Sequence, residues 1–151
     1  MRYFLYLRVL GHAVSALTKS LNSGDDRPTL LTKDGRVFDA NQIAFQRRIS
    51  LGMPIKEAKV ILQGEARVLE YKPEQLEEAQ QQFLNPCLIY SDRIQAINAS
   101  EALVDLSAHP EPLDIACSLL RHIHRELSCP IVAGIAPTTW LAQRSSRLCE
   151  T

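Results

Sequence analysis

The chain has 151 residues, 46% hydrophobic and 23% charged. That suffices for one domain, or one domain with a small insertion, and for a core that needs neither disulfide nor metal, and it excludes disorder. The formal net charge is zero, which removes any whole-molecule attraction to nucleic acid; residues 1–75 carry 12 Lys/Arg against 8 Asp/Glu and residues 76–151 carry 5 against 9, so only the first half is mildly basic.

Residues 2–10 read as a buried strand, with aromatics at short spacing. The opening MRYFLYLRVLGHAV carries Arg8 in its middle and lacks a small-residue cleavage site. No apolar run approaches the ~20 residues that cross a bilayer. A cytoplasmic protein without membrane contact is expected. Gly11 to Leu21 has helical spacing at Val14, Leu17 and Leu21, and NSGDDRP (22–28) is a loop. TLLTKDGRVFDA (29–40) is a hairpin, because Asp34-Gly35 supplies the positive-φ turn. A helix begins at Asn41, Gly52-Met53-Pro54 breaks it, and Pro54 suits the first turn of a short helix over IKEAKVIL. A short strand follows at 66–70.

Pro73 opens a helix expected to run to about Phe83. Residues 91–98 and 101–106 read as two strands around a tight turn, placing Glu101 and Asp105 in an apolar run. Two acids four apart there suit either a metal site or a strand end with one acid in solvent. Pro112 to Leu127 is an amphipathic helix whose stripe is Ile115, Leu119, Leu120, Ile123 and Leu127. CPIVAGIA is a strand, and Pro137 starts a last helix in which Trp140 is expected in the core. Four Cys, at 87, 117, 129 and 149, share no close spacing and read as scattered reduced thiols. His122 and His124 lie about 200° apart around a helix and read as solvated.

The order is β-α-(insert)-α-β-β-α-β-α. Setting aside 28–70 leaves a split βαββαβ. The fold class is therefore α+β, ferredoxin-like, with residues 1–27 and 71–151 in one part and a small α/β insertion at 28–70. Fold alone does not give function.

Four segments, in order, carry a family pattern. They are YLRVLGHAVSAL (6–17), RISLGMPIKEAK (48–59), YSDRIQAINASEALVDLS (90–107) and SLLRHIHRELSCPIVAGIAPTTWLAQRSS (118–146). Together they resemble the N-terminal palm and fingers of the Y-family (UmuC/DinB-type) translesion DNA polymerases. The resemblance implies two Mg²⁺ ions held by acids on neighbouring palm strands, which position the attacking hydroxyl and neutralise the triphosphate.

The departures from the pattern fall on functional positions. The first metal Asp of the family falls on Arg8, a nearby Asp on Leu10, and the Asp before the retained Glu101 on Ser100. The fingers Tyr and Arg that grip triphosphate fall on Gln42 and Phe45, and the palm Lys on Gln143. The aromatic gate against ribose falls near His12. Asp105 matches a family position that is chiefly structural. The resemblance thus implies a palm without catalysis and with no cofactor or metal.

The chain stops at Thr151, where the palm ends, so weak DNA contact is expected, with Lys33, Arg36, Arg47, Arg48 and Lys56 as candidates. The nearest description is an ImuB-like pseudoenzyme, an accessory in DNA damage tolerance. Its implied partners are a polymerase, a recombinase-like protein and the sliding clamp. QQQFL (80–84) is similar in outline to a clamp-binding peptide, but sits where core packing is expected. Three alternatives remain open: a ferredoxin-like interaction module without a DNA role, an enzyme of new chemistry around Glu101, and a truncated reading frame.

Overall fold

The computed structural model describes residues 2–19 and 27–148. The first strand, β1 (Phe4–Val9), is flanked on both sides, so Leu5, Tyr6 and Leu7 are all buried although they alternate between faces. Its neighbours are β6 (Glu101–Asp105) and β7 (Ile131–Ala136), both antiparallel to it, and β5 (Ile94–Ala96) lies outside β6. The order β5-β6-β1-β7 is that of a split βαββαβ, as the element pattern predicts.

One face of this sheet carries α4 (Glu77–Tyr90) and α5 (Pro112–Leu127). Leu5, Leu7, Val104, Phe83, Leu119 and Ile123 interlock there. The α5 stripe forms as its spacing predicts. Pro112 sits at its first turn, and Ser128, at φ 51, ends it by donating its backbone N–H to His124 O at 2.8 Å. Helix α6 (Thr139–Leu148) packs along β7 and β1, and its buried Ala142 lies outside the cluster under α4 and α5.

A second sheet, in the order β3-β2-β4, joins β2 (Thr29–Lys33), β3 (Arg36–Ala40) and β4 (Arg67–Glu70). Asp34 and Gly35 take φ 54 and φ 75, the turn that matches the twist of a two-residue hairpin. Asn41 caps α2 (Gln42–Gln46) by accepting from Ala44 N at 3.0 Å, and α3 (Ile55–Ile61) starts after Pro54. Leu30, Val37, Ala44, Ile49, Ala58 and Leu62 form this part's own core.

The chain packs as two units, Met1–Val9 with Glu77–Thr151, and Leu10–Leu76. Helix α1 (His12–Thr18) belongs with the second, whereas the sequence reading placed residues 10–27 in the palm-like part.

Several expectations need correction. The helix expected to stop near Phe83 begins with a 3₁₀ turn at Pro73–Gln75 and then continues as α4 to Tyr90, through Pro86. A proline there forfeits one helical hydrogen bond, at about 3 kcal/mol. Burial of Phe83, Pro86 and Cys87 on one face offsets that. The strand expected over 91–98 shrinks to Ile94–Ala96. Trp140, expected in the core, is 63% exposed, with the Arg144 guanidinium 5.4 Å from its ring centre. His122 is half-buried rather than solvated: Tyr90 Oη lies 3.3 Å from its Nδ1, and Glu126 3.4 Å from its Nε2. Cys87 and Cys129 are buried thiols and Cys117 is exposed, while Cys149, Leu21 and most of the loop at 22–28 fall outside the described residues.

Candidate functional site

The first group of candidates meets at the start of β6. Arg8 and Glu101 are cross-strand partners in the β1–β6 ladder, so their side chains share a face. Arg8 NH1 stands 3.8 Å from Glu101 Oε1. Asn98 Nδ2 donates to the same oxygen at 2.8 Å. The Tyr6 hydroxyl donates to Oε2 through a short contact. Glu101 is only 8% exposed, and both its oxygens are engaged by side chains of the protein.

The turn that delivers Glu101 is held by the same Asn98. Its Oδ1 accepts from Ser100 N and Glu101 N, both at 2.9 Å, an arrangement asparagine favours because its side chain mimics a backbone turn. Ser100 is fully buried, and its Oγ has no hydrogen-bond partner among the described residues. Val9 N donates to Ser100 O at 2.9 Å, tying the turn to β1.

Asp105, at the other end of β6, does separate work. The Ser107 hydroxyl, then the Ser107 backbone N–H (2.9 Å), and more weakly Arg93 and Arg2, hold its carboxyl below the usual carboxylate range. The two acids of the strand therefore form no common site.

A pair of divalent cations does not fit this donor set. Octahedral oxygen coordination needs several carboxylate or carbonyl oxygens, and here one carboxylate is present, each of its oxygens already accepting a side-chain hydrogen bond. A dication about 4 Å from a guanidinium would be repelled by roughly 8 kcal/mol at an effective dielectric of 20. Among the described residues, no three His, Cys, Asp or Glu side chains gather where they could hold a metal.

The remaining palm candidate, Gln143, is half-buried on α6. In the second unit Leu10 is half-buried, and His12 is buried in the first turn of α1. Gln42 is exposed at the start of α2, whereas Phe45 packs against the unit's core. The five cations divide in two. Lys33 stacks over Tyr71 (4.8 Å) and Phe38 (5.7 Å), Arg36 donates to Gly52 O at 2.7 Å, and Arg47 pairs with Glu65 at 2.6 Å. Arg48 and Lys56 are exposed, and their side chains have no partner among the described residues.

Three contributors escape the sequence reading. Tyr6 is two residues before Arg8 and so shares its strand face, a signal that period two supplies. Asn98 begins an Asn-Ala-Ser turn, also a readable sign. Asp39 has no local sign at all. It is 1% exposed, accepts from Gly11 N at 2.7 Å and Val14 N at 3.2 Å, and so places a carboxylate on the N-terminal amides of α1, where the peptide dipoles favour negative charge.

A model of the impB/mucB/samB family matches residues 12–147. No curated protein matches the chain. DinB from Sulfolobus solfataricus superposes with a TM-score of 0.70 at 18% identity, over 97% of this chain and 45% of its own. An insertion ternary complex of Dbh DNA polymerase gives 0.72 at 17% identity, over 99% and 46%. A post-insertion binary complex of Dbh gives 0.69 at 19%, over 97% and 45%. The chain thus spans just under half the length of these structures, and the likeness is one of fold.

Proposed function

Because the chain belongs to the impB/mucB/samB family, we propose that it serves translesion DNA synthesis as a non-catalytic, ImuB-like accessory. One observation carries the reading. Where the family pattern puts a metal-binding Asp, Arg8 faces Glu101 across the ladder, and the only acid left is spoken for by Tyr6, Asn98 and Arg8. Such a palm works without Mg²⁺ or any other cofactor, in the cytoplasm, by contact rather than by chemistry. Its DNA contact is weak and rests on the exposed Arg48 and Lys56, since Lys33, Arg36 and Arg47 are already engaged within the fold. A catalytically competent polymerase, a recombinase-like protein and the sliding clamp are its protein partners.

The exposed Trp140 and Leu141 on α6 favour a second reading, in which the palm-like unit binds protein alone. Anisotropy of a labelled primer-template, titrated with the protein at about 50 and 200 mM salt, separates the two. The accessory reading expects salt-sensitive binding, weakened by Arg48→Glu with Lys56→Glu, and no primer extension with Mg²⁺ and nucleotides. Extension by the purified chain, abolished by Glu101→Gln, overturns it. Absence of binding at the lower salt leaves the protein-only reading.

A further inference from the structure

We infer that the guanidinium of Arg8 is the resident cation of the Glu101 site, a side chain that takes over the charge-balancing role of a metal ion. The inference rests on the family reading above for what the site would otherwise hold, and on this chain's own geometry for what holds it instead. Arg8 occupies the central strand directly opposite Glu101, at 3.8 Å, so the cation is delivered by sheet register and needs no binding step. The carboxylate cannot swing away to meet an incoming ion, because Tyr6 holds one oxygen and Asn98 the other. Its backbone cannot shift either, because Asn98 Oδ1 pins the amides of both Ser100 and Glu101. The neighbouring position is neutral: Ser100 is fully buried, its hydroxyl unpaired among the described residues, so Arg8 and Glu101 balance each other with no further charge from that residue.

The same geometry predicts how to reverse the substitution. Arg8→Asp with Ser100→Asp would change the charge carried by positions 8, 100 and 101 from neutral to strongly negative. It would also put three carboxylates on backbone positions already joined by the Arg8–Glu101 register and the Val9–Ser100 hydrogen bond. A hard cation takes such oxygen ligands.

Terbium is the probe, with Tyr6, in contact with Glu101, as the built-in sensitiser. The full chain is titrated with Tb³⁺ under tyrosine excitation, and melting is followed with EDTA or with millimolar Mg²⁺. The wild type is expected to give no saturable emission and the same Tm in both solutions. The double variant is expected to saturate in the micromolar range and to gain Tm with Mg²⁺. Saturable terbium emission from the wild type that Glu101→Gln removes overturns the inference, as does a folded double variant that binds nothing.

If the double variant does not fold, Arg8→Lys and Arg8→Met decide. A cation role keeps the Tm of Arg8→Lys near wild type and lowers that of Arg8→Met by about 5 °C or more, since each kcal/mol moves Tm by ~2–4 °C at this size. Equal melting of the two refutes it. Neither readout involves DNA or a partner protein, so failure here and failure of the accessory role are told apart.

Discussion

Replacing Asp39 with alanine removes the acceptor of two backbone amides at the start of α1, Gly11 N at 2.7 Å and Val14 N at 3.2 Å. Hydrogen bonds to a charged group contribute about 1.5–3 kcal/mol each, so roughly 3–6 kcal/mol of interaction is lost. Relief from burying a carboxylate offsets part of that, because Asp39 is 1% exposed and stands almost wholly out of water. The net cost is about 2–3 kcal/mol. Asp39→Asn keeps one acceptor oxygen but turns an N–H toward the second amide, and is expected to cost about half as much. With a urea slope of about 1–3 kcal/mol/M, the alanine variant moves the midpoint of denaturation down by roughly 0.7–3 M. Far-UV circular dichroism in urea gives the midpoint, and amide hydrogen exchange gives the local effect at Gly11 and Val14. A midpoint shift below about 0.3 M, with both amides as protected as in the wild type, would refute the view that Asp39 anchors α1.

Ser100→Ala removes a buried hydroxyl that lacks a partner among the described residues and should raise stability by about 1 kcal/mol in the same urea assay; a loss of that size means the hydroxyl is satisfied. Burial pushes the Cys87 thiol up to about 12, so Ellman's reagent should label Cys117 in the native protein and reach Cys87 only on unfolding. The Asp105 carboxyl is depressed in the fold by Ser107, so its contribution is present above the unfolded value near 4 and lost as pH falls through the lower folded one. Asp105→Asn should therefore flatten the acid limb of Tm against pH below about 4, and an unchanged limb would count against the Ser107 contact. Trp140→Ser should cost less than about 0.5 kcal/mol, as surface changes do, and a larger loss would put Trp140 back in a core.

How far the sequence could be read depended on how local each signal is. The hairpin at 29–40 rests on one dipeptide, Asp34-Gly35, and α5 on a stripe repeating within its own 16 residues; both form where expected. The end of α4 lies beyond the expected Phe83, because burial of Phe83, Pro86 and Cys87 lets the helix continue through a proline. Arg8 and Glu101 were singled out, but their pairing depends on a register that no local pattern encodes. Tyr6, which completes the site, reaches Glu101 across 95 residues of chain. Among the basic candidates, Lys33, Arg36 and Arg47 read as equivalent free cations in a string of letters. In the fold they are committed to aromatic rings, a carbonyl and a carboxylate. Trp140 was drawn into the expected core by the apolar motif before it, yet its helix turns the indole outward, under Arg144.

The central place of β1 has a consequence for synthesis. The unit Leu10–Leu76 is continuous in sequence, so all its strands have left the ribosome once residue 76 has. β1 emerges before any of them, but its partners are β6 and β7. At about 5–20 residues per second, the ~95 residues up to β6 take roughly 5–20 s to make. For that interval FLYLRV is an apolar strand with both hydrogen-bonding edges open, while the unit behind it can already be folded. The nascent chain is therefore most in need of a chaperone at β1, an inner strand of the sheet that waits longest for its neighbours.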